Sequence, residues 1–98
     1  MLDKLDTADR QLADIADRLT RIIRRQTGPI QAFSVTSRLR EDLALDSIHM
    51  MSIACEVEEE FDVVLSDDAI DAAATVQSLI DAVALEIEER EADRERRR

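Results

Sequence analysis

One glycine and one proline occur in the 98 residues, and they are adjacent, as Gly28 and Pro29. Hairpin turns depend on these two residue types, so the chain has little material from which to build a β-sheet. Aromatic residues make up only 2% of the sequence, and both of them, Phe33 and Phe61, are phenylalanines. The core must therefore be aliphatic, and the sequence predicts a small all-α fold.

Apolar residues at spacings of three and four predict four helices. Thr7 suits the N-cap of the first helix. Gly28 and Pro29 end that helix, because glycine tolerates a left-handed cap and proline cannot continue the hydrogen bonding. Ser66 and Thr75 suit the N-caps of the last two helices. The predicted helices cover residues 7–26, 47–61, 67–72 and 76 to about 87, and the charged end over residues 86–98 is expected to fray into solvent.

The predicted fold is a four-helix bundle with three long helices, one short helix and a long loop between helices 1 and 2. The loop, residues 28–45, shows no sustained period, and a single helical turn fits residues 37–42. Its scattered apolar residues predict that it packs against the helices. We expect one domain over residues 1–98, with its core at about 7–89 and a charged tail at 90–98.

The net charge of −10 is concentrated in the second half of the chain. Residues 41–89 hold fifteen acidic residues and no lysine or arginine, whereas residues 1–40 carry a net charge of +3 and residues 90–98 of +2. Such a block repels nucleic-acid phosphates and attracts partners with basic surfaces. No apolar run approaches the ~18 residues of a membrane span, and the charged N-terminus is unlike a signal peptide. We expect a cytoplasmic monomer without a membrane span that does not bind nucleic acid.

The titratable residues do not suggest an enzyme or a metal centre. Ser47 and His49 are two residues apart, and side chains at that spacing on a helix do not face each other. His49 is therefore expected to be a solvated surface residue and not a catalytic partner of Ser47. The acidic run over residues 56–62 lacks the glycine that a calcium loop needs. Cys55 is the single cysteine, so it cannot form an internal disulfide or a cysteine-based metal site.

Two apolar rows lie along the second predicted helix. The core-facing row is Met50, Ile53, Ala54, Val57 and Phe61. The second row is Ile48, Met51 and Cys55. A surface helix needs only one apolar row, so the second row either overlaps the core or forms a contact surface. Asp46 and Ser47 stand at the start of this helix. Both residue types are common N-caps. The pair alone therefore does not show whether Ser47 only caps the helix or is a chemically important residue.

Three stretches of the chain occur in the order and with the spacing of the motifs of a known family. They are Glu41-Asp-Leu-Ala-Leu-Asp-Ser-Ile48, Glu58-Glu-Glu-Phe-Asp62 and Thr75-Val-Gln-Ser-Leu-Ile-Asp81. Together they resemble the acyl carrier protein family, and the resemblance extends over about residues 16–86. It implies a helical carrier of acyl groups that is not itself an enzyme.

By that resemblance, Ser47 is the attachment site of 4′-phosphopantetheine, with Asp46 beside it. A phosphopantetheinyl transferase would move the group from coenzyme A onto the Ser47 hydroxyl. The thiol of this arm would then carry acyl groups as thioesters to enzymes of fatty acid, lipid or related biosynthesis. The resemblance also implies docking to enzymes with basic patches, with Ile48 as the central apolar contact. The residues implied in docking are Ile48, Met51, Cys55, Glu56, Glu58, Glu59 and Asp62.

The sequence departs from the family pattern around Ser47. His49 and Ser52 stand where acidic residues are usual, and Ala44 stands where glycine is common. These departures favour a specialised carrier over the housekeeping carrier of fatty acid synthesis. Two alternatives stay open. One is a carrier of aminoacyl or polyketide intermediates, and the other is an acidic helical module that binds basic partners without being modified.

Overall fold

A computed structural model describes the backbone of residues 3–96 and the side chains of residues 10–96. Over this range the chain forms four helices and no strand. The helices are α1 (Asp3–Thr27), α2 (Ser47–Phe61), α3 (Asp67–Ala72) and α4 (Val76–Arg96). The predicted all-α class, with three long helices and one short helix, is confirmed, and α2 and α3 have the predicted bounds.

The N-terminal end of α1 differs from the prediction. Thr7 lies inside the helix, so its assignment as the N-cap was wrong, and the helix already includes Asp3. The stretch that precedes Thr7 carries two aspartates, and acidic residues in a first turn are favoured by the helix dipole. The other end is as expected, because Gly28 has a φ of +94° and its N–H donates to the Arg24 carbonyl oxygen at 2.8 Å.

The core is a single aliphatic cluster to which all four helices contribute. Packing is tightest where α1 meets α2 and α4. Residues of these three helices that are no more than 1% exposed are Leu19, Ile22, Ile23, Met50, Ile53, Val57, Val76, Leu79 and Val83. Two ion pairs join the rim of this core, Arg18 to Glu60 at 2.8 Å and Arg25 to Glu56 at 2.9 Å. In the predicted core-facing row of α2, Met50, Ile53, Val57 and Phe61 are buried and Ala54 is partly buried, whereas Leu12 of α1 is 43% exposed.

The long loop is held against the start of α4 by backbone hydrogen bonds. The N–H of Leu39 donates to the Ala74 carbonyl oxygen at 2.9 Å, and the N–H of Gln77 donates to the Val35 carbonyl oxygen at 2.8 Å. A single turn closes at residues 38–42, where the Asp42 N–H donates to the Arg38 carbonyl oxygen at 2.9 Å. It is not continued into a helix, which agrees with the single turn predicted there.

The leucines of the loop are core residues. Leu39, Leu43 and Leu45 are buried, as the packing of the loop predicts, whereas Ile30 is 94% exposed and Val35 is 44% exposed. Burying the three leucines brings the loop directly into the start of α2. The position of Ser47 is therefore set by the core and by the backbone contacts to α4.

Helix α4 continues through the charged end to Arg96, so the prediction that this end frays was wrong for the described residues. The stretch is rich in glutamate and arginine, which are good helix formers, and Arg94 and Arg96 suit the negative end of the helix dipole. Arg90 also pairs with the carboxylate of Asp62, at the end of α2. Within the described part of the chain, no helix is both long enough and apolar enough to cross a membrane.

Candidate functional site

Asp46, and not Ser47, is the N-cap of α2. Its backbone is extended, with φ −91° and ψ −173°, and its carboxylate oxygen Oδ1 accepts a hydrogen bond from the His49 N–H at 3.0 Å. This hydrogen bond is the main cause that holds the pKa of Asp46 below its ordinary value, and the Ile48 N–H contributes in the same direction. The carboxylate beside Ser47 is therefore ionised at neutral pH.

Ser47 is the first residue of α2, and its side chain is exposed. Because Asp46 already satisfies the cap, the Ser47 hydroxyl is not needed by the helix. Among the described residues none forms a hydrogen bond with that hydroxyl. The unsatisfied N–H groups of the first turn give this end of the helix a partial positive charge. An accessible hydroxyl at such a position is suited to bear a phosphate ester.

His49 completes the cap of α2. Its Nδ1 accepts a hydrogen bond from the Asp46 N–H at 3.3 Å, and it lies 2.9 Å from the Asp46 Oδ1. The pair forms a capping box in which an imidazole nitrogen takes the part usually played by a glutamate or glutamine side chain. His49 is therefore a surface residue, as expected, with its side chain 39% exposed, and in addition it completes the cap. It reaches the cap because it is the third residue of α2, a position from which a side chain can point back to the N-cap residue Asp46.

Ala44 adopts a backbone conformation that glycine takes up more readily than alanine. Its φ is +55°, in the left-handed region, and its side chain is exposed. A residue with a Cβ atom is strained there by roughly 1–2 kcal/mol, whereas glycine is not. The turn places Leu43 and Leu45 in the core on either side of Ala44, so the strained position is needed for the approach to Ser47.

The substitution Ala44→Gly is expected to raise the free energy of unfolding by about 0.5–1 kcal/mol, because relief of the left-handed strain exceeds the entropy that glycine adds to the unfolded chain. Urea denaturation measures this change. Ala92→Gly is the matched control, since Ala92 is exposed in the interior of α4 and the same change there should lower stability by about 1 kcal/mol. Destabilisation by both variants would contradict the prediction.

The second apolar row of α2 faces solvent, so the structure places it outside the core. Ile48 is 74% exposed and Met51 is 67% exposed, and Cys55 is exposed as well. Residues at spacings of three and four share one helix face, and Glu59 extends the same face by one turn. We call Ile48, Met51, Cys55 and Glu59 the α2 stripe. It begins next to Ser47 and runs along the whole helix.

The other acids of α2 that the resemblance implied in docking are engaged within the chain. Glu56 pairs with Arg25. Glu58 accepts a hydrogen bond from the Leu65 N–H at 2.9 Å, which ties the end of α2 to the segment before α3. Asp62 has a φ of +56° at the C-cap and pairs with Arg90. The structure therefore brings Glu59 together with the apolar row but gives Glu56, Glu58 and Asp62 internal contacts.

A groove of about 390 Å³ opens between α2 and α3 and reaches Ser47. Its apolar wall comes from Met50, Ala54, Leu65 and Ile70. Arg40, from the long loop, lines the same groove. The sequence patterns did not identify Arg40, because nothing in the loop's irregular spacing shows which way its side chains point. The only signal is that Arg40 is the last basic residue before the acidic block.

Comparisons with known proteins agree with this geometry. The family described as "Phosphopantetheine attachment site" matches residues 17–83. The acyl carrier protein of Kocuria rhizophila is 33% identical over 76 residues, which are 76% of this chain and 89% of that protein.

Two solved structures have the same fold at 24% sequence identity. One is a Mycobacterium tuberculosis protein assigned to the acyl carrier proteins, with a TM-score of 0.68 over 72% of this chain and 96% of that one. The other is the acetyl form of the actinorhodin acyl carrier protein from Streptomyces coelicolor, with a TM-score of 0.63 over 76% and 91%. The matched family and the Kocuria relative both span the helix start at Ser47 and its cap. The chain therefore belongs to the acyl carrier proteins, which carry acyl groups on phosphopantetheine and are not catalysts.

Proposed function

We propose that Ser47 is the residue that carries the phosphopantetheine arm. The observation that supports it most strongly is that Ser47 is exposed at the first position of α2, while Asp46 makes the cap and leaves the Ser47 hydroxyl unused. The positive end of α2 favours a phosphate ester there. The groove beside Ser47 offers apolar surface along which an arm can lie. The residues present therefore fit the group.

In the modification, the Ser47 oxygen forms a bond to the phosphorus of the pantetheine 4′-phosphate of coenzyme A. The pyrophosphate P–O bond breaks, adenosine 3′,5′-bisphosphate leaves, and the Ser47 proton passes to a base of the transferase. When bound, the arm supplies a terminal thiol that holds acyl groups as thioesters. The chain itself contributes the accessible hydroxyl, the stabilised ester and the surfaces that enzymes recognise.

We place enzyme docking on the α2 stripe. Ile48 and Met51 are large apolar side chains that the fold leaves in solvent beside Ser47, and exposed apolar patches with a polar rim are typical of interaction sites. Glu59 and the excess of acids over residues 41–89 favour a partner surface with basic residues. Because Glu56, Glu58 and Asp62 have internal contacts, we assign them a supporting electrostatic part.

Replacing Ile48 by alanine is expected to lower kcat/KM for modification by a phosphopantetheinyl transferase by about tenfold, since a central apolar contact contributes about 1–2 kcal/mol to binding. Val64→Ala is the matched control, because Val64 is 76% exposed but lies outside the stripe, between α2 and α3. Both variants should unfold at the wild-type temperature. Equal rates for Ile48→Ala and wild type would refute docking at Ile48.

For the cargo, we propose acyl intermediates of fatty acid, lipid or related biosynthesis, because the acidic surface suits the acyl type of carrier. Aminoacyl and polyketide intermediates are the alternatives. Loading the modified protein with ligases that supply fatty acyl, aminoacyl or polyketide starter groups separates the three by intact mass. We further propose that the carrier works as a monomer in the cytoplasm.

The test of the site is incubation of the protein with coenzyme A and a broad-specificity phosphopantetheinyl transferase, followed by intact mass and peptide mapping. We expect a gain of one phosphopantetheine on the peptide that contains Ser47. No gain with any competent transferase would favour the unmodified acidic binding module.

A further inference from the structure

Arg40 is the one basic residue among the described residues that line the groove beside Ser47. Its guanidinium is held weakly. The ion pair with Asp71 of α3 spans 3.8 Å, and the Arg40 and Asp71 side chains are 40% and 79% exposed. An exposed pair at that distance contributes little to stability. Arg40 is therefore available to a stronger anion that enters the groove.

The other arginine of this loop, Arg38, is held firmly by contacts within the loop. Arg38 binds the Asp42 carboxylate through its backbone N–H at 2.8 Å and through its guanidinium at 3.1 Å. These contacts raise the pKa of Arg38 and lower that of Asp42, the hydrogen bonds between the two side chains being the main cause. Arg38 also does not line the groove. Of the two arginines, only Arg40 is both directed to the groove and weakly paired.

A phosphodiester on Ser47 would be stabilised by a positive partner at this place. It adds a negative charge next to the ionised Asp46, within a block, residues 41–89, that contains no lysine or arginine. The end of α2 offers backbone N–H groups but only a partial charge. A guanidinium offers a full charge and a planar pair of donors that matches two phosphate oxygens.

We propose that Arg40 is a positioning residue for the arm, and this rests on the attachment at Ser47 proposed above. In the unmodified protein Arg40 pairs with Asp71, and in the modified protein its guanidinium donates to the phosphodiester oxygens on Ser47. Modification thereby removes a tie between the loop and α3 at the edge of the groove. Attachment of the arm and loss of the contact to Asp71 of α3 are therefore coupled through the Arg40 side chain.

The test is NMR of protein labelled with ¹⁵N at arginine, before and after modification, with intact mass and peptide mapping confirming that one arm is on Ser47. We expect the Nε–Hε resonance of Arg40 to move on modification and that of Arg38 to stay in place. If the mass shows modification and Arg40 does not move, or both arginines move alike, the role of Arg40 is refuted while the attachment site stands. If no modification occurs, both proposals fail.

A second measurement uses melting temperatures of the unmodified and modified forms. The melting temperature of the modified form minus that of the unmodified form should be lower by roughly 1–5 °C in Arg40→Gln than in wild type. In Asp71→Asn the difference should be at least as large as in wild type, because Arg40 then loses its competing partner. Arg38→Gln is the control for removal of one positive charge from the loop and should leave the difference unchanged. An equal effect of Arg38→Gln and Arg40→Gln would overturn the inference.

Discussion

The variant Ser47→Ala is expected to take up no phosphopantetheine at all, while its free energy of unfolding stays within about 0.5 kcal/mol of wild type. The two halves of this expectation have separate causes. Loss of the hydroxyl removes the only atom of this residue that can form the phosphate ester. Stability is retained because Asp46 makes the helix cap and the Ser47 side chain is exposed without a hydrogen bond to the described residues.

Intact mass after incubation with coenzyme A and transferase measures the first half, and thermal unfolding measures the second. Ser52→Ala is the matched control, since Ser52 is on the same helix but partly buried, and it should be modified like wild type. Modification of Ser47→Ala would show that another residue bears the arm. A large loss of stability in this variant would instead show that Ser47 shares the capping role.

The variant Leu39→Ala is expected to lower the free energy of unfolding by about 2–5 kcal/mol. Leu39 is in the long loop, yet it is fully buried and its N–H donates to Ala74. Removing its side chain leaves a cavity where the loop meets the core. For a domain of this size the loss is a large share of a total stability of about 5–15 kcal/mol, and each kcal/mol lowers the melting temperature by about 4–8 °C.

Ile30→Ala in the same loop provides the comparison. Ile30 is 94% exposed, so its truncation should change the free energy of unfolding by no more than about 0.5 kcal/mol. Chemical denaturation of both variants measures the contrast. Similar small effects in the two would mean that the loop lies over the bundle without being part of the core, and the placement of Ser47 would then need another explanation.

The sequence predicted the helices well where the spacing of apolar residues and the capping residues indicated the same helix bounds. The bounds of α2 and α3 followed from the apolar spacing and from Ser66, whose hydroxyl accepts from the Ala69 N–H at 3.0 Å. Thr75 also caps α4 as predicted, accepting from the Ser78 N–H at 3.1 Å. In each case the deciding contacts lie within four residues along the chain, so the sequence nearby contains the whole signal.

The predictions failed for residues whose contacts come from distant parts of the chain. They also failed for the charged end of α4, which was expected to fray. The end of α4 is joined to Asp62 by Arg90, a residue 28 positions away. Arg40 was missed because its neighbours in the groove come from α2 and α3. The capping role of His49 was missed because a histidine is an unusual acceptor in a capping box. Ser47 is proposed as the attachment site because of the order of three motifs and not because of the Asp-Ser pair, which occurs at many helix starts.

The ion pairs between α1 and α2 affect which acidic residues of α2 contribute to the long-range electrostatic potential. Arg18 and Arg25 pair with Glu60 and Glu56 on the side of α2 that faces α1, whereas Glu59 is exposed on the α2 stripe. Paired charges contribute less to the long-range potential than an exposed acid outside an ion pair, so on α2 we expect Glu59 to contribute more than Glu56 and Glu60. We therefore expect an approaching basic surface to be attracted first to the face of α2 that carries the α2 stripe.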